Sequence, residues 1–178
     1  MYLRPYKKED AKTILSWCGD ETVFRRWTSD RYDHYPITED DMNFKYFECN
    51  GDCIEDDNFY PMVACDESGV FGHFILRYTN GDHSLMRIGF VIVDDKKRGH
   101  QYGKKMMRLA VDYAFLVAGA ENVTIGVFEN NIPGYKCYKS SGFKEVETEQ
   151  PETYELYGET WKIIELALNI NDYILERR

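Results

Sequence analysis

The sequence predicts an α+β fold, a mixed and mostly antiparallel central sheet of about seven strands flanked by about four helices. Three observations predict it. Runs rich in β-branched and aromatic residues at Tyr60–Cys65, Val70–Tyr78 and from Leu85 are separated by the turn signals Asp66-Glu67-Ser68-Gly69 and Asn80-Gly81-Asp82, which reads as an antiparallel meander. From Leu85 onward the pattern alternates strand, helix, strand, helix. The 178 residues contain no repeat, low-complexity segment or linker, so residues 1–178 read as a single domain able to bury one sizeable core.

In chain order, Tyr2-Leu3-Arg4-Pro5-Tyr6 reads as a first strand. Lys8-Glu9-Asp10 leads into a helix with Ala11, Ile14, Leu15 and Cys18 on one side. Val23 to Tyr35 is dense in aromatics and charges (Phe24, Arg25, Arg26, Trp27, Arg31, Tyr32, Tyr35) without a clean period, and its aromatics around Trp27 to Tyr35 suit the lining of an acceptor site or a dimer contact. Thr38 with Asp41 three residues on has capping-box character, so a helix runs to about Glu48. Asn50 to Asn58, acidic and glycine-containing, reads as a loop. The run Leu85-Met86-Arg87-Ile88-Gly89-Phe90-Val91-Ile92-Val93 is too short for an ordinary helix and predicts a strand buried on both faces. Tyr102, Met106, Leu109, Ala110, Tyr113, Ala114 and Val117 form the apolar stripe of a helix that stops at Gly119. Asn122–Phe128 is another strand. Asn130 and Asn131 cap a short helix with Pro133 in its first turn, and Gly142 ends it. Lys144–Thr148 and Glu159–Leu168 read as closing strands, with a polar tail from Asn169.

Between the strand from Leu85 and the following helix lies Arg98-Gly99-His100-Gln101-Tyr102-Gly103. A glycine-containing loop there presents unpaired N–H groups at the positive end of a helix dipole, a ready anion site. No Gly-Lys-Ser/Thr follows, so it is not a P-loop, and the G-x-G-x-x-G spacing is absent.

Two patterns, in order and on the expected elements, resemble the GNAT N-acetyltransferase superfamily. The first is Arg98 to Gly103, set against that family's Arg/Gln-x-x-Gly-x-Gly/Ala. The second, about thirty residues on, is Asn131, Gly134 in the alanine place, Tyr138, Gly142 and Phe143. Leu3-Arg4-Pro5 and the Gly142-Phe143 ending look most like the branch containing ribosomal-protein and polyamine acetyltransferases. The resemblance is sharpest from Phe90 to Phe143.

It implies an acetyl-coenzyme A-dependent transfer of acetyl to a primary amine, on a small molecule or on a protein N-terminus or lysine, without a metal. It also implies a set of roles. Backbone groups of Val91, Ile92 and Val93 would meet the pantetheine arm. Arg98, Gly99, His100, Gln101, Tyr102, Gly103 and Lys104 would hold the pyrophosphate, Asn131 would contact the cofactor, and Tyr138 would protonate the departing sulfur. Gln101 stands where the family has its middle glycine, and a glutamine fits there most easily with a negative φ. Arg87 occupies the central-strand place where many relatives carry a glutamate base, and an arginine cannot accept a proton. His73 directly, or Glu48, Glu129 or Asp57 through water, are candidate bases, unless the amine arrives neutral or loses its proton to water. Arg87 can instead pair with a substrate carboxylate, and Trp27, Arg87 and His73 are the candidate acceptor-side residues. A non-catalytic acyl-coenzyme A-binding module of the same fold is the alternative, and a longer acyl group a third.

Composition narrows partners. A formal net charge of −9 counts against non-specific binding to nucleic acid or anionic membrane. No apolar run approaches the ~20 residues of a membrane span, and no signal-peptide core opens the chain. Cys18, Cys49, Cys53, Cys65 and Cys137 form neither a disulfide framework nor, with the histidines, a zinc pattern, so the expectation is reduced thiols in a cytoplasmic monomer or homodimer.

Overall fold

The computed structural model describes residues 1–176. Its elements are β1 (Tyr2–Pro5), α1 (Asp10–Leu15), α2 (Glu21–Thr28), α3 (Glu39–Phe47), β2 (Tyr60–Asp66), β3 (Gly69–Thr79), β4 (Asp82–Val93), α4 (Tyr102–Leu116), β5 (Asn122–Phe128), α5 (Ile132–Lys139), β6 (Lys144–Glu145), β7 (Thr153–Leu156), β8 (Glu159–Asn169) and α6 (Ile170–Glu176). Short 3-10 turns at Asn50–Asp52 and Asp95–Lys97 join them. The sheet runs β1-β2-β3-β4-β5-β8-β6, with β7 paired to β8 off that path. All pairs are antiparallel except β4–β5. None of the described helices is long and apolar enough to cross a membrane.

The α+β class, the meander and the capping box stand as expected. Thr38 Oγ1 accepts from Asp41 N at 3.2 Å while Asp41 Oδ2 accepts from Thr38 N at 2.7 Å. Five details differ. α2 forms where no period was legible, because the buried face includes Arg25, whose Nη1 donates to the Tyr32 carbonyl at 2.6 Å. An Asp20 side chain accepting from Val23 N starts that helix. β7 adds a hairpin to β8, and the strand after Gly142 shrinks to Lys144–Glu145. The expected polar tail from Asn169 is α6, anchored by buried Tyr173 against Phe115 with ring centroids 4.9 Å apart. The α4 core face is Met106, Met107, Ala110, Val111, Ala114 and Phe115, rotated from the expected stripe so that Val117 is exposed.

Two apolar layers sandwich the sheet. On one face α4, α5 and α6 pack Met106, Ala110, Phe115, Tyr138 and Tyr173 onto Phe71, Phe74, Met86, Ile88, Val123, Ile125 and Leu166. On the other, α1, α2 and α3 pack Ile14, Phe24, Trp27 and Met42 onto Val63, Ile75 and Ile92. The strand buried on both faces is therefore β3, from Phe71 to Leu76, and not β4. Along β4, Leu85, Arg87 and Gly89 stay half-open because no helix covers that face beyond α2.

His73, expected as a possible base, lies inside the second layer with no exposed surface. Nδ1 donates to the Met62 carbonyl at 2.9 Å, since a carbonyl only accepts, and Nε2 accepts from the Tyr46 hydroxyl at 2.8 Å. Burial, only partly countered by that carbonyl and by Asp10, pushes its pKa down to about 4. A neutral imidazole with both nitrogens committed and no path to solvent cannot take a proton from a bound amine. The candidate fails on geometry.

This residue should shape acid stability. In the unfolded chain it titrates near ~6.5. Between about pH 6.5 and pH 4 the unfolded state takes up a proton that the folded state refuses, so stability falls as pH drops through that window, by at most about 3 kcal/mol. Urea midpoints measured from pH 7 to 4.5 should decline more steeply for the parent than for His73→Gln; parallel declines would mean that the imidazole is protonated in the native state.

Candidate active site

β4 and β5 hold register over four rungs, Leu85–Ile88 against Asn122–Ile125, and then part. Two local causes drive them apart. Between its Ile92 and Gly89 rungs β4 carries one residue more than β3 does, a bulge with Phe90 at φ +50°. β5 meanwhile stays straight along β8, in register to Phe128↔Ile163. The edges Gly89–Val93 and Gly126–Phe128 thus diverge with no strand between them, leaving backbone groups that need partners from elsewhere. A phenylalanine in the left-handed region costs about 1–2 kcal/mol. The bulge is held by Trp27, whose indole Nε1 donates to the Phe90 carbonyl at 2.8 Å, and by ring contacts of Phe90 with Tyr46 and Phe59. Trp27 borders the opening, but its polar atom is committed to this clamp.

A cavity of about 810 Å³ fills the space where the strands part. Its floor is Arg77 of β3, Arg87 to Val91 of β4, Thr124 to Phe128 of β5 and Glu165 of β8. Its walls are α2 and the residues just after it, the Gly51–Glu55 loop, and Glu152 with Tyr154. Arg26 braces one wall, donating to Asn130 at 3.2 Å and lying over the Trp161 ring at 5.9 Å. Val91, Asn131 and Tyr138 all reach this cavity. Tyr138 is buried as a residue, yet Tyr32 Oη is the one fully buried side-chain oxygen or nitrogen among the described residues that lacks a partner. The Tyr138 hydroxyl, which has no hydrogen bond among the described residues, therefore opens onto the cavity. Burial, with a smaller contribution from Cys137, raises its pKa above the ordinary phenol value, so it stays protonated at neutral pH. Asn131 caps α5, its Oδ1 accepting from Gly134 N at 3.1 Å. A Cβ at position 134 would come within 2.7 Å of the Asn131 amide, which explains a glycine there.

Arg87 is not free for a substrate carboxylate. Its two terminal nitrogens donate to the two oxygens of Glu165 at 2.9 and 2.8 Å. The pair spans β5 from β4 to β8 and passes over Gly126, where a Cβ would sit 2.8 Å from Nη2. Burial opposes the Arg87 charge, but the carboxylate outweighs it and raises the guanidinium pKa. The expectation of a substrate partner for Arg87 is corrected to an internal one.

The 98–103 loop lies outside the cavity, at the start of α4. Among the described residues the backbone N–H groups of Gly99, Gln101, Tyr102, Gly103 and Lys104 have no hydrogen-bond partner, and no side chain caps the helix. Gln101 adopts φ +62°, ψ +9°, not the negative φ expected, because a left-handed residue is needed to turn the loop into the helix. His100 and Lys104 are exposed beside it. Gly103 allows α4 to approach α5, since a Cβ would lie 3.1 Å from Cys137 Sγ, and this brings the loop next to the helix that carries Tyr138. The five free donors at the positive end of a 15-residue helix suit a pyrophosphate. Two side chains are turned elsewhere. Arg98 donates to the carbonyls of Val93 and Trp17 at 3.0 Å each, and Tyr102 packs on Phe71 under Lys97 and Lys105. Ile92 belongs to the second apolar layer, so only its backbone faces the divergence.

None of the other candidate bases lies on the cavity. Glu48 ends α3 at the surface, Asp57 is exposed in the loop before β2, and Glu129 is exposed with Oε1 toward Lys162 N at 3.4 Å. The carboxylates that do line it are Asp52, Glu55, Glu152 and Glu165. Sequence reasoning missed these because a loop and a hairpin deliver three of them, and neither has periodicity.

Residues 1–144 match the family model described as acetyltransferase (GNAT) domain. The fold is similar to that of spermidine N-acetyltransferase from Vibrio cholerae in complex with CoA and spermine, at 18% identity and TM-score 0.78 over 97% of this chain and 96% of that one. An aminoglycoside acetyltransferase in complex with coenzyme A and kanamycin shares 14% identity at TM-score 0.75 over 99% of each chain. A putative phosphinothricin N-acetyltransferase shares 20% at TM-score 0.71 over 94% and 97%. No curated protein matches the chain. At such identities the structural likenesses speak for the fold alone, while the family model spans most of the sequence. This chain belongs to the GNAT acetyltransferase family.

Proposed function

We propose that this protein transfers acetyl from acetyl-coenzyme A directly to a primary amine, of a small molecule or of a protein N-terminus or lysine, with Tyr138 as general acid. The observation that carries the reading is the Tyr138 hydroxyl, protonated and without an internal partner, opening onto a cavity where two parallel strands part. Acetyl-coenzyme A supplies an activated acyl group as a thioester. The free edge of Gly89–Val93 offers main-chain groups to align an extended arm and to polarise a carbonyl near Val91. The donors from Gly99 to Lys104, with the Lys104 ammonium, hold the pyrophosphate. Tyr138 then gives its proton to the leaving sulfur. A phenol of raised pKa suits this because the same burial raises thiols too, as it does the neighbouring Cys137, so donor and acceptor stay matched. Of the cavity carboxylates, Asp52 and Glu165 are tied to cations and Glu55 and Glu152 accept from neutral side chains; the amine enters neutral or sheds its proton to water.

Thermal unfolding with acetyl-coenzyme A at about 100 times its dissociation constant should raise Tm by about 5–10 °C, corresponding to roughly 2.7 kcal/mol. Tyr138→Phe should keep that shift and lose about 10²–10⁴-fold in kcat. An unchanged kcat removes the acid role, and a parent that binds cofactor yet acetylates no amine favours a non-catalytic binding module.

Gln101 gives a separate test of the phosphate loop. Gln101→Gly should be neutral or stabilising by up to ~1 kcal/mol, because relief of left-handed strain is offset by unfolded-chain entropy. Gln101→Val, which resists positive φ, should weaken acetyl-coenzyme A at least about tenfold by calorimetry. Parental affinity in the valine variant would place the pyrophosphate elsewhere.

A further inference from the structure

The cavity holds four arginines, Arg26, Arg31, Arg77 and Arg87, and four carboxylates, of which two are paired with cations and two accept from neutral side chains. Glu165 pairs with Arg87, Glu55 accepts from Asn58, Glu152 accepts from the Tyr154 hydroxyl, and Asp52 pairs with Lys45. Among the arginines, Arg87 and Arg26 have partners. Arg31 and Arg77 have no side-chain hydrogen bond or ion pair among the described residues.

Arg77 is the more unusual of the two. It stands directly across from Arg87 in the antiparallel β3–β4 register, so two guanidinium groups share one face of the sheet. Like charges placed opposite one another destabilise a sheet. Arg87 escapes the conflict through Glu165, and Arg77 does not. Its surroundings are Cys53, Arg87, Arg31 and Glu55, and burial together with the neighbouring arginines lowers its pKa from the usual value. A half-buried cation facing a like charge and opening onto a cavity is costly to the fold. Such a local conflict marks a position shaped by something the folded chain alone does not contain.

We propose that Arg77, assisted by Arg31, binds a carboxylate on the acceptor, so that the substrate class is an amine bearing a carboxylate, an amino acid or a peptide, and not a polyamine. This rests on the acetyltransferase reading above and narrows its acceptor. A planar carboxylate matches the guanidinium fork and relieves the Arg77–Arg87 repulsion. A polycation would meet two arginines that have no hydrogen-bonded partner, while Asp52 and Glu165 are already paired with Lys45 and Arg87. The geometry also favours an acceptor longer than glycine. Arg77 is level with Arg87, whereas the acyl group is aligned near Val91, four residues further along β4, or roughly 13 Å at strand rise less the bulge. Arginine reach covers part of that span and the acceptor covers the rest.

The test measures kcat/KM with acetyl-coenzyme A for lysine, ω-amino acids and short peptides, each as free acid and as primary amide, in the parent, Arg77→Gln and Arg77→Lys. The parent should prefer acids over amides by about ten- to a hundredfold. Arg77→Gln should abolish that preference by lowering turnover of the acids far more than that of the amides, with Tm unchanged or raised, and Arg77→Lys should restore part of it. Equal use of acid and amide by the parent, or an equal loss on both in Arg77→Gln, overturns the inference. So does a parent that acetylates polyamines and none of the acids. The acetyl-coenzyme A-induced Tm shift, recorded on the same samples, separates the two readings: its absence sinks the acetyltransferase reading, whereas its presence without acid preference sinks only the carboxylate claim.

Discussion

Everything at the candidate site follows from the point where β4 and β5 stop pairing. Interior strands of a sheet ordinarily satisfy each other's backbone groups, and an interior gap is tolerated only where something else supplies partners. Here the parting is built in from both sides. An extra residue in β4 turns Phe90 into the left-handed region, while β5 follows β8 to its end. The Trp27 indole takes the carbonyl that the bulge displaces, so α2 is as much a part of the opening as the strands are. Without that clamp, Phe90 would have little reason to stay strained.

The same gap sets the electrostatics. Because no helix beyond α2 covers this end of the sheet, charged residues on β3, β4 and β8 sit on its face, half-buried and close together. Arg87 and Glu165 reach across β5 only because position 126 carries no side chain. That pair neutralises the centre of the floor and leaves Arg77 at its edge with a like charge opposite. A cavity can keep such an arrangement where a core could not, since solvent or ligand can compensate it.

His73 and Tyr138 show how burial sorts side chains that composition treats alike. Both are deeply placed, and desolvation holds both neutral. His73 has spent both nitrogens on Tyr46 and Met62, so it serves packing between α3 and β2. Tyr138 keeps its hydroxyl toward the opening. What separates the two placements is the presence of a free direction, and only the fold supplies that.

By itself the sequence determined the elements whose signals are local. The meander, with its two glycine turns, follows from period and turn chemistry. So do the Thr38–Asp41 cap, the Asn131-capped helix with Pro133, and the glycine loop before α4. The spacing from Arg98 through Phe143 was also enough to point to the family. Tertiary structure decided what depends on distant partners. It made α2 a helix around a buried arginine, turned the tail into α6 against Phe115, and put Gln101 in the left-handed region because the strand-to-helix turn demands it. It tied Arg87 to a glutamate 78 residues away, and it sealed His73 in the core. Propensity and periodicity report on neighbours within a few residues, whereas pairing, burial and charge compensation are set by strand order, which no local pattern encodes.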